Sequence, residues 1–137
     1  MKVLFICRQN IGRSQMAVSI FNKYIKNSYA DSRGTMVEIE GMTLEELGAK
    51  NTIRALQENE NVDARNLKSI QLKQVDLLNY DHIIVMSEIK KTPYWLEHSS
   101  KAERWDIPDT KTSDYETTVE VLHDIKKLVL ERFSSNK

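Results

Sequence analysis

At 137 residues and 15.9 kDa the chain has the size of one domain, 1–137. Its composition, 40% hydrophobic and 29% charged, suits a globular protein able to bury a core. Twenty basic side chains balance twenty acidic ones, which argues against a general nucleic-acid binder and gives an anionic membrane nothing to attract.

Lys2 to Ile6 (K-V-L-F-I) is a continuous apolar run, as expected of a strand buried on both faces. A polar stretch follows, Cys7-Arg8-Gln9-Asn10-Ile11-Gly12-Arg13-Ser14. Beyond it Met16, Ala17, Ile20, Phe21, Tyr24 and Ile25 recur at helical spacing, with Ser14 placed to cap or open the helix. Met36 to Glu40 alternates and predicts a second strand. Thr43 with Glu46 resembles a capping box and predicts a helix from about Thr43, carrying Leu44, Leu47, Ile53 and Leu56. Gln71 to Leu78 predicts a short helix, and His82 to Met86 a central strand. A helix limited by Pro93 is expected between Ser87 and Glu97, with a short strand at Glu103 to Trp105. The last helix runs from about Asp114, with an apolar stripe of Val119, Leu122, Ile125, Leu128, Val129 and Phe133. The tail from Ser134 to Lys137 reads as disordered. Alternating strands and helices predict a three-layer α/β/α fold around a central four-stranded parallel sheet.

No apolar run approaches the length of a membrane span. The N-terminal run lacks a small-residue cleavage site and does not read as a signal peptide. Cys7 is the one cysteine, which rules out an internal disulfide framework and a Cys-rich zinc site, and the expected compartment is the cytoplasm. His82, His98 and His123 have no ligand spacing, so neither a metal nor a cofactor is expected.

Ligands of open parallel sheets bind at the carboxyl ends of strands, and Cys7 stands at that place. Its loop runs into a helix, whose positive end and N–H groups suit a phosphate-sized anion. Such a field also favours a thiolate. Arg13, five residues beyond the cysteine, can grip two phosphoryl oxygens through its planar fork. A lone cysteine after an apolar strand is ordinarily an inert buried hydrophobe; the arginine, the serine and the strand-loop-helix setting reverse that reading.

The pattern C-x5-R-S after an N-terminal strand, followed by Gln15-Met16-Ala17, resembles the low-molecular-weight protein tyrosine phosphatases and their arsenate-reductase relatives. Asp31-Ser32-Arg33-Gly34-Thr35 is similar to the family's D-S-A-G-T stretch, and Trp105-Asp106-Ile107-Pro108-Asp109 to its general-acid segment. The resemblance implies hydrolysis of phosphate monoesters, chiefly protein phosphotyrosine, through a cysteinyl-phosphate intermediate. It assigns Cys7 as nucleophile, Arg13 as transition-state clamp and Asp109 as acid, with Asp106 as the fallback. Arg8, Gln9, Asn10, Ile11, Gly12, Arg13 and Ser14 would surround the phosphoryl group, with Asn10, Ser14 and Ser32 supporting the loop. The implied partners are a phosphorylated protein or small phosphate ester, with inorganic phosphate or other oxyanions in the loop.

Other readings of single residues stay open. Arg8 serves equally as a solvated charge, and Ser32 as a turn residue. Gln9 stands where the family loop has glycine, and Gly12 where it has a second cysteine, so Gly12 is expected to take up any turn that Gln9 resists. Leu67 stands where many relatives carry a network histidine. Tyr94, Trp95 and Trp105 read as packing before site mouth. A solitary cysteine leaves arsenate reduction dependent on an external thiol, and a non-catalytic phosphate binder is the remaining alternative. Ile11 favours phosphotyrosine over phosphoarginine.

Overall fold

The computed structural model describes residues 1–134. Its sheet holds four parallel strands, β1 (Lys2–Cys7), β2 (Tyr29–Gly34), β3 (His82–Val85) and β4 (Ala102–Arg104), in the spatial order β2-β1-β3-β4. The helices are α1 (Arg13–Tyr24), α2 (Lys50–Glu60), α3 (Tyr94–Glu97) and α4 (Tyr115–Phe133). The chain leaves β1 towards β2 on one side and returns to β3 on the other. The carboxyl end of β1 is therefore the topological switch point, where open sheets of this kind form their crevice.

Side chains of β1 alternate between two apolar layers, as a period of two requires. Val3, Phe5 and Cys7 join Phe21 of α1 and Leu122, Ile125, Val129 and Phe133 of α4 in the larger cluster. Leu4 and Ile6 join Ile83 and Val85 on the opposite face, under Leu72, Tyr80 and Leu96. Each side of the sheet is thus covered, which is why the two central strands read as unbroken hydrophobic runs.

The second strand is not Met36 to Glu40. β2 pairs with β1 from Lys2↔Tyr29 to Cys7↔Gly34, burying Ala30, Ser32 and Gly34. These residues suit a place where the loop after β1 comes close. A Cβ on Gly34 would lie 2.8 Å from the Arg8 carbonyl oxygen and 2.9 Å from the Asn10 nitrogen. Met36 and Ile39 are exposed beyond the strand, and the Val37 N–H donates to the Gln71 side chain instead of a ladder.

The Thr43–Glu46 capping box forms, with the Glu46 N–H on Thr43 Oγ1 and the Thr43 N–H on Glu46 Oε1. It closes a turn that ends at Gly48, whose φ of 71° breaks the helical path, and α2 starts at Lys50. Gln74–Asn79 winds as a 3-10 helix. The stretch from Ser87 to Glu97 divides at Pro93 into a 3-10 turn, Ile89–Lys91, and α3. Asp114 caps α4 by accepting the Thr117 N–H, and Ser134 ends it, its N–H on the Leu130 carbonyl. The rest of the tail expected to be disordered lies outside the described residues.

Glu60, at the end of α2, is buried between α1 and α4. It accepts hydrogen bonds from Tyr24 (2.6 Å) and Lys126 (3.0 Å), with Lys23 at 3.5 Å. Burial pushes its pKa up, but the hydrogen bonds and positive charges of Tyr24, Lys126 and Lys23 outweigh burial and hold it below 4.5. A depressed carboxylate pKa contributes stability above the unfolded value that is lost as pH falls through the folded one. Glu60→Gln is expected to cost about 1–3 kcal/mol at pH 7. In urea denaturation, the gap from wild type should shrink as pH drops below 4.5; a gap constant with pH would contradict this.

Candidate active site

Residues Arg8–Gly12 turn between β1 and α1. The carbonyls of this loop are held outward: Cys7 O accepts from Thr35 N–H, Arg8 O from Met36 N–H, and Gly12 O from Met16 N–H. Gln9 O accepts from Ser69 Oγ (2.7 Å), and Asn10 O from Gln15 Nε2 (2.9 Å). Among the described residues, none of the N–H groups from Gln9 to Ser14 has an acceptor. A ring of unpaired amides with its carbonyls turned away is a nest for an anion.

Asn10 carries the loop's left-handed turn, at φ 59°, so the positive φ falls on neither Gln9 nor Gly12. Asparagine tolerates this conformation better than most side chains. Its amide also fixes a chain of polarity. Ile70 N–H donates to Asn10 Oδ1 (2.8 Å), so Asn10 Nδ2 faces Ser14 Oγ (2.7 Å). The Ser14 oxygen accepts there, which leaves its proton for Cys7 Sγ at 3.0 Å. Ser32 meets the loop indirectly, donating to Gln15 Oε1 (3.2 Å), while Gln15 Nε2 reaches Asn10 O.

Arg13 is 3% exposed. Its Nη1 donates to the carbonyls of Met86 and Ile107 and to Glu88 Oε2 (2.9 Å). Nε and Nη2 make no hydrogen bond among the described residues, leaving a free guanidinium edge. Asp109 Oδ2 lies 3.9 Å from Nη2, and Asp109 Oδ1 accepts the Lys111 N–H, which orients the carboxylate. Asp109 lines the cleft beside Cys7 and Arg13, and Asp106 does not.

The cleft over this loop has a volume of about 460 Å³. Cys7, Arg8, Gln9, Ile11, Gly12 and Arg13 form its floor. Residues 47–52 and 109–111 line its walls. No aromatic ring lines it among the described residues. Trp105 packs on Phe5, and the Tyr115 hydroxyl donates to Glu58 under the Arg54 guanidinium. A Cβ on Gly12 would stand 2.8 Å from Thr110 Oγ1, so a cysteine there requires that side chain to shift. Among the described residues no three His, Cys, Asp or Glu side chains gather as metal ligands.

Sequence reasoning missed Glu88, Gln15, Ser69 and the threonines Thr52 and Thr110. Glu88 had a signal, because it follows the apolar run of β3 at the carboxyl end of the sheet. The walls had none, since their closeness to the loop comes from long-range folding.

A parallel α/β fold with an anion nest at its switch point, a cysteine sulfur beneath the nest and an arginine beside it defines a cysteine-centred oxyanion-binding protein. Residues 2–135 match the family model described as low molecular weight phosphotyrosine protein phosphatase, and the chain belongs to that family. No curated protein matches the sequence. Among solved structures, Wzb from Vibrio vulnificus in complex with benzylphosphonate is 25% identical with a TM-score of 0.81, covering 95% of this chain and 94% of that one. An arsenate reductase from Archaeoglobus fulgidus is 28% identical with a TM-score of 0.74, covering 94% and 96%. The YwlE arginine phosphatase from Geobacillus stearothermophilus shares the fold at 21% identity and a TM-score of 0.74, covering 93% and 87%.

The geometry of Asn10 predicts an ordered pair of variants. Asn10→Gly keeps the backbone relaxed but leaves the Ile70 N–H without its acceptor, a loss of about 1–3 kcal/mol. Asn10→Ala adds about 1 kcal/mol for a left-handed residue bearing a Cβ. Urea unfolding should rank alanine below glycine; the reverse order would contradict the turn.

Proposed function

We propose that the protein hydrolyses phosphate monoesters, phosphotyrosine on protein among them, through a cysteinyl-phosphate intermediate. The observation that carries this reading is the ring of unpaired amides around Cys7 with the free edge of Arg13 beside it. The phosphoryl oxygens lie on the amides and on Nε and Nη2 of Arg13, which stabilise the charge that spreads over them in the transition state. The Cys7 thiolate attacks phosphorus in line with the leaving oxygen and forms an S–P bond as the O–P bond breaks. Asp109 gives the leaving oxygen a proton, then takes one from the water that attacks the phosphocysteine. The Ser14 hydroxyl, aimed at sulfur by Asn10, stabilises the thiolate as it departs. Ile11 on the cleft floor supports an aryl ester over phosphoarginine. A single unpaired cysteine suits a reducing compartment, and we place the enzyme in the cytoplasm.

A second reading, arsenate reduction, is favoured by the Archaeoglobus relative and by a nest that fits arsenate as it fits phosphate. With one cysteine in the chain, an external thiol would have to serve as reductant.

The test is p-nitrophenyl phosphate hydrolysis by wild type, Cys7→Ser, Asp109→Asn and Asp106→Asn. Wild type should turn over, and Cys7→Ser should abolish it. Asp109→Asn should lower kcat about 10²–10⁴-fold, with little change in Asp106→Asn. Loss confined to Asp106→Asn would move the acid role, and a wild type that binds phosphate without turnover would leave a non-catalytic binder.

A further inference from the structure

The cleft carries more positive charge than one phosphoryl group requires. Among the described residues four cations line it, Arg8, Arg13, Lys50 and Lys111, against one carboxylate, Asp109. Glu88 and Asp109 are the ion-pair partners of Arg13. Among the described residues Arg8, Lys50 and Lys111 have no acidic partner within 4.0 Å, so their charge is not neutralised inside the cleft.

The wall opposite the nucleophile is the start of α2. Its N-cap is Ala49, no side chain caps it, and its first turn holds no acid. The N–H groups of Asn51 and Thr52 therefore remain with the positive end of an eleven-residue helix. Two largely buried threonines, Thr52 of α2 and Thr110 from the segment after β4, bring their hydroxyls to the same part of the cleft. Thr52 is 6% exposed and Thr110 is 8% exposed, both line the cleft, and neither hydroxyl has a hydrogen-bond partner among the described residues. They converge: Thr110 Oγ1 and Thr52 Oγ1 lie 2.8 Å and 3.9 Å from the point a Gly12 Cβ would occupy. Both hydroxyl oxygens reach the cleft surface, where solvent or a ligand can meet them.

We infer that this wall is a second anion subsite, so that the preferred substrate carries, besides the phosphate ester, a second anionic group. The inference rests on the phosphatase reading for the position of the ester. The phosphoryl group sits over Cys7. The second anion, a carboxylate or another phosphate, sits at the first turn of α2 between Lys50 and Lys111, with the hydroxyls of Thr52 and Thr110 as donors. The absence of aromatic walls among the described residues agrees with a substrate held by charge and not by ring stacking.

Binding calorimetry tests this with methylphosphonate and with phosphonoacetate, 3-phosphonopropionate and 4-phosphonobutyrate, which place a carboxylate at increasing reach. At least one carboxylated member should bind wild type about tenfold more tightly than methylphosphonate. That advantage should fall to about twofold or less in Lys50→Gln/Lys111→Gln and shrink in Thr52→Val, while Lys101→Gln just before β4 keeps it. An advantage absent in wild type, or undiminished in the double variant, overturns the subsite while leaving the phosphatase reading intact. No binding of any phosphonate overturns both. Two substrate pairs then identify the source of the second anion. A higher kcat/KM for a phosphotyrosine peptide with flanking aspartate than with asparagine assigns it to protein. A preference confined to carboxyphenyl phosphate over phenyl phosphate assigns it to a small ester, and no preference in either pair contradicts the subsite.

Discussion

The structure turns on a buried guanidinium. Arg13 lies in the interior, where a positive charge persists only if acceptors surround it. The acceptors come from three places along the chain: the Met86 carbonyl just after β3, Glu88 two residues on, and the Ile107 carbonyl after β4. One side chain from the start of α1 thereby draws together the loops at the carboxyl end of the sheet. Asp109 arrives beside it as a consequence, two residues beyond a carbonyl that Arg13 already holds. The free guanidinium edge of Arg13 and the position of the proposed acid thus have a common cause.

The nest beneath depends on the same economy of partners. A five-residue loop could direct its carbonyls inward and repel an anion. Here Thr35, Met36, Ser69, Gln15 and Met16 each take one carbonyl, and the amides are left facing the other way. Gly34 permits the loop to pass this closely over β2, and Asn10 supplies both the turn and the hydrogen-bond relay to Cys7. The surrounding elements act on the sulfur through backbone polarity and a short polar chain.

Much of this was legible in the residues themselves. β1, α1, β3 and α4 were visible because burial on two faces, or along one stripe, imposes a period that composition reveals. Cys7, Arg13 and Ser14 were visible because their spacing places them around one strand-to-helix turn. β2 was hidden for the opposite reason: Tyr-Ala-Asp-Ser-Arg-Gly lies at the sheet edge and must stay small near the loop, so it lacks the apolar signature. Met36 to Glu40 has that alternation without any strand to pair with. Thr43 and Glu46 show a correct local motif closing a turn where Gly48 prevents a helix. Ser69 and Thr110 belong to the site only through contacts made across the fold, which no local pattern announces.

The account stands on Cys7 as the atom that takes the phosphoryl group. The direct measurement is mass spectrometry of Asp109→Asn protein quenched in acid during p-nitrophenyl phosphate turnover, a variant in which hydrolysis of the intermediate is slowed. The account predicts one added phosphoryl group on the peptide containing Cys7, disappearing as substrate is exhausted. Product release with no adduct, or an adduct on any other residue, would contradict it.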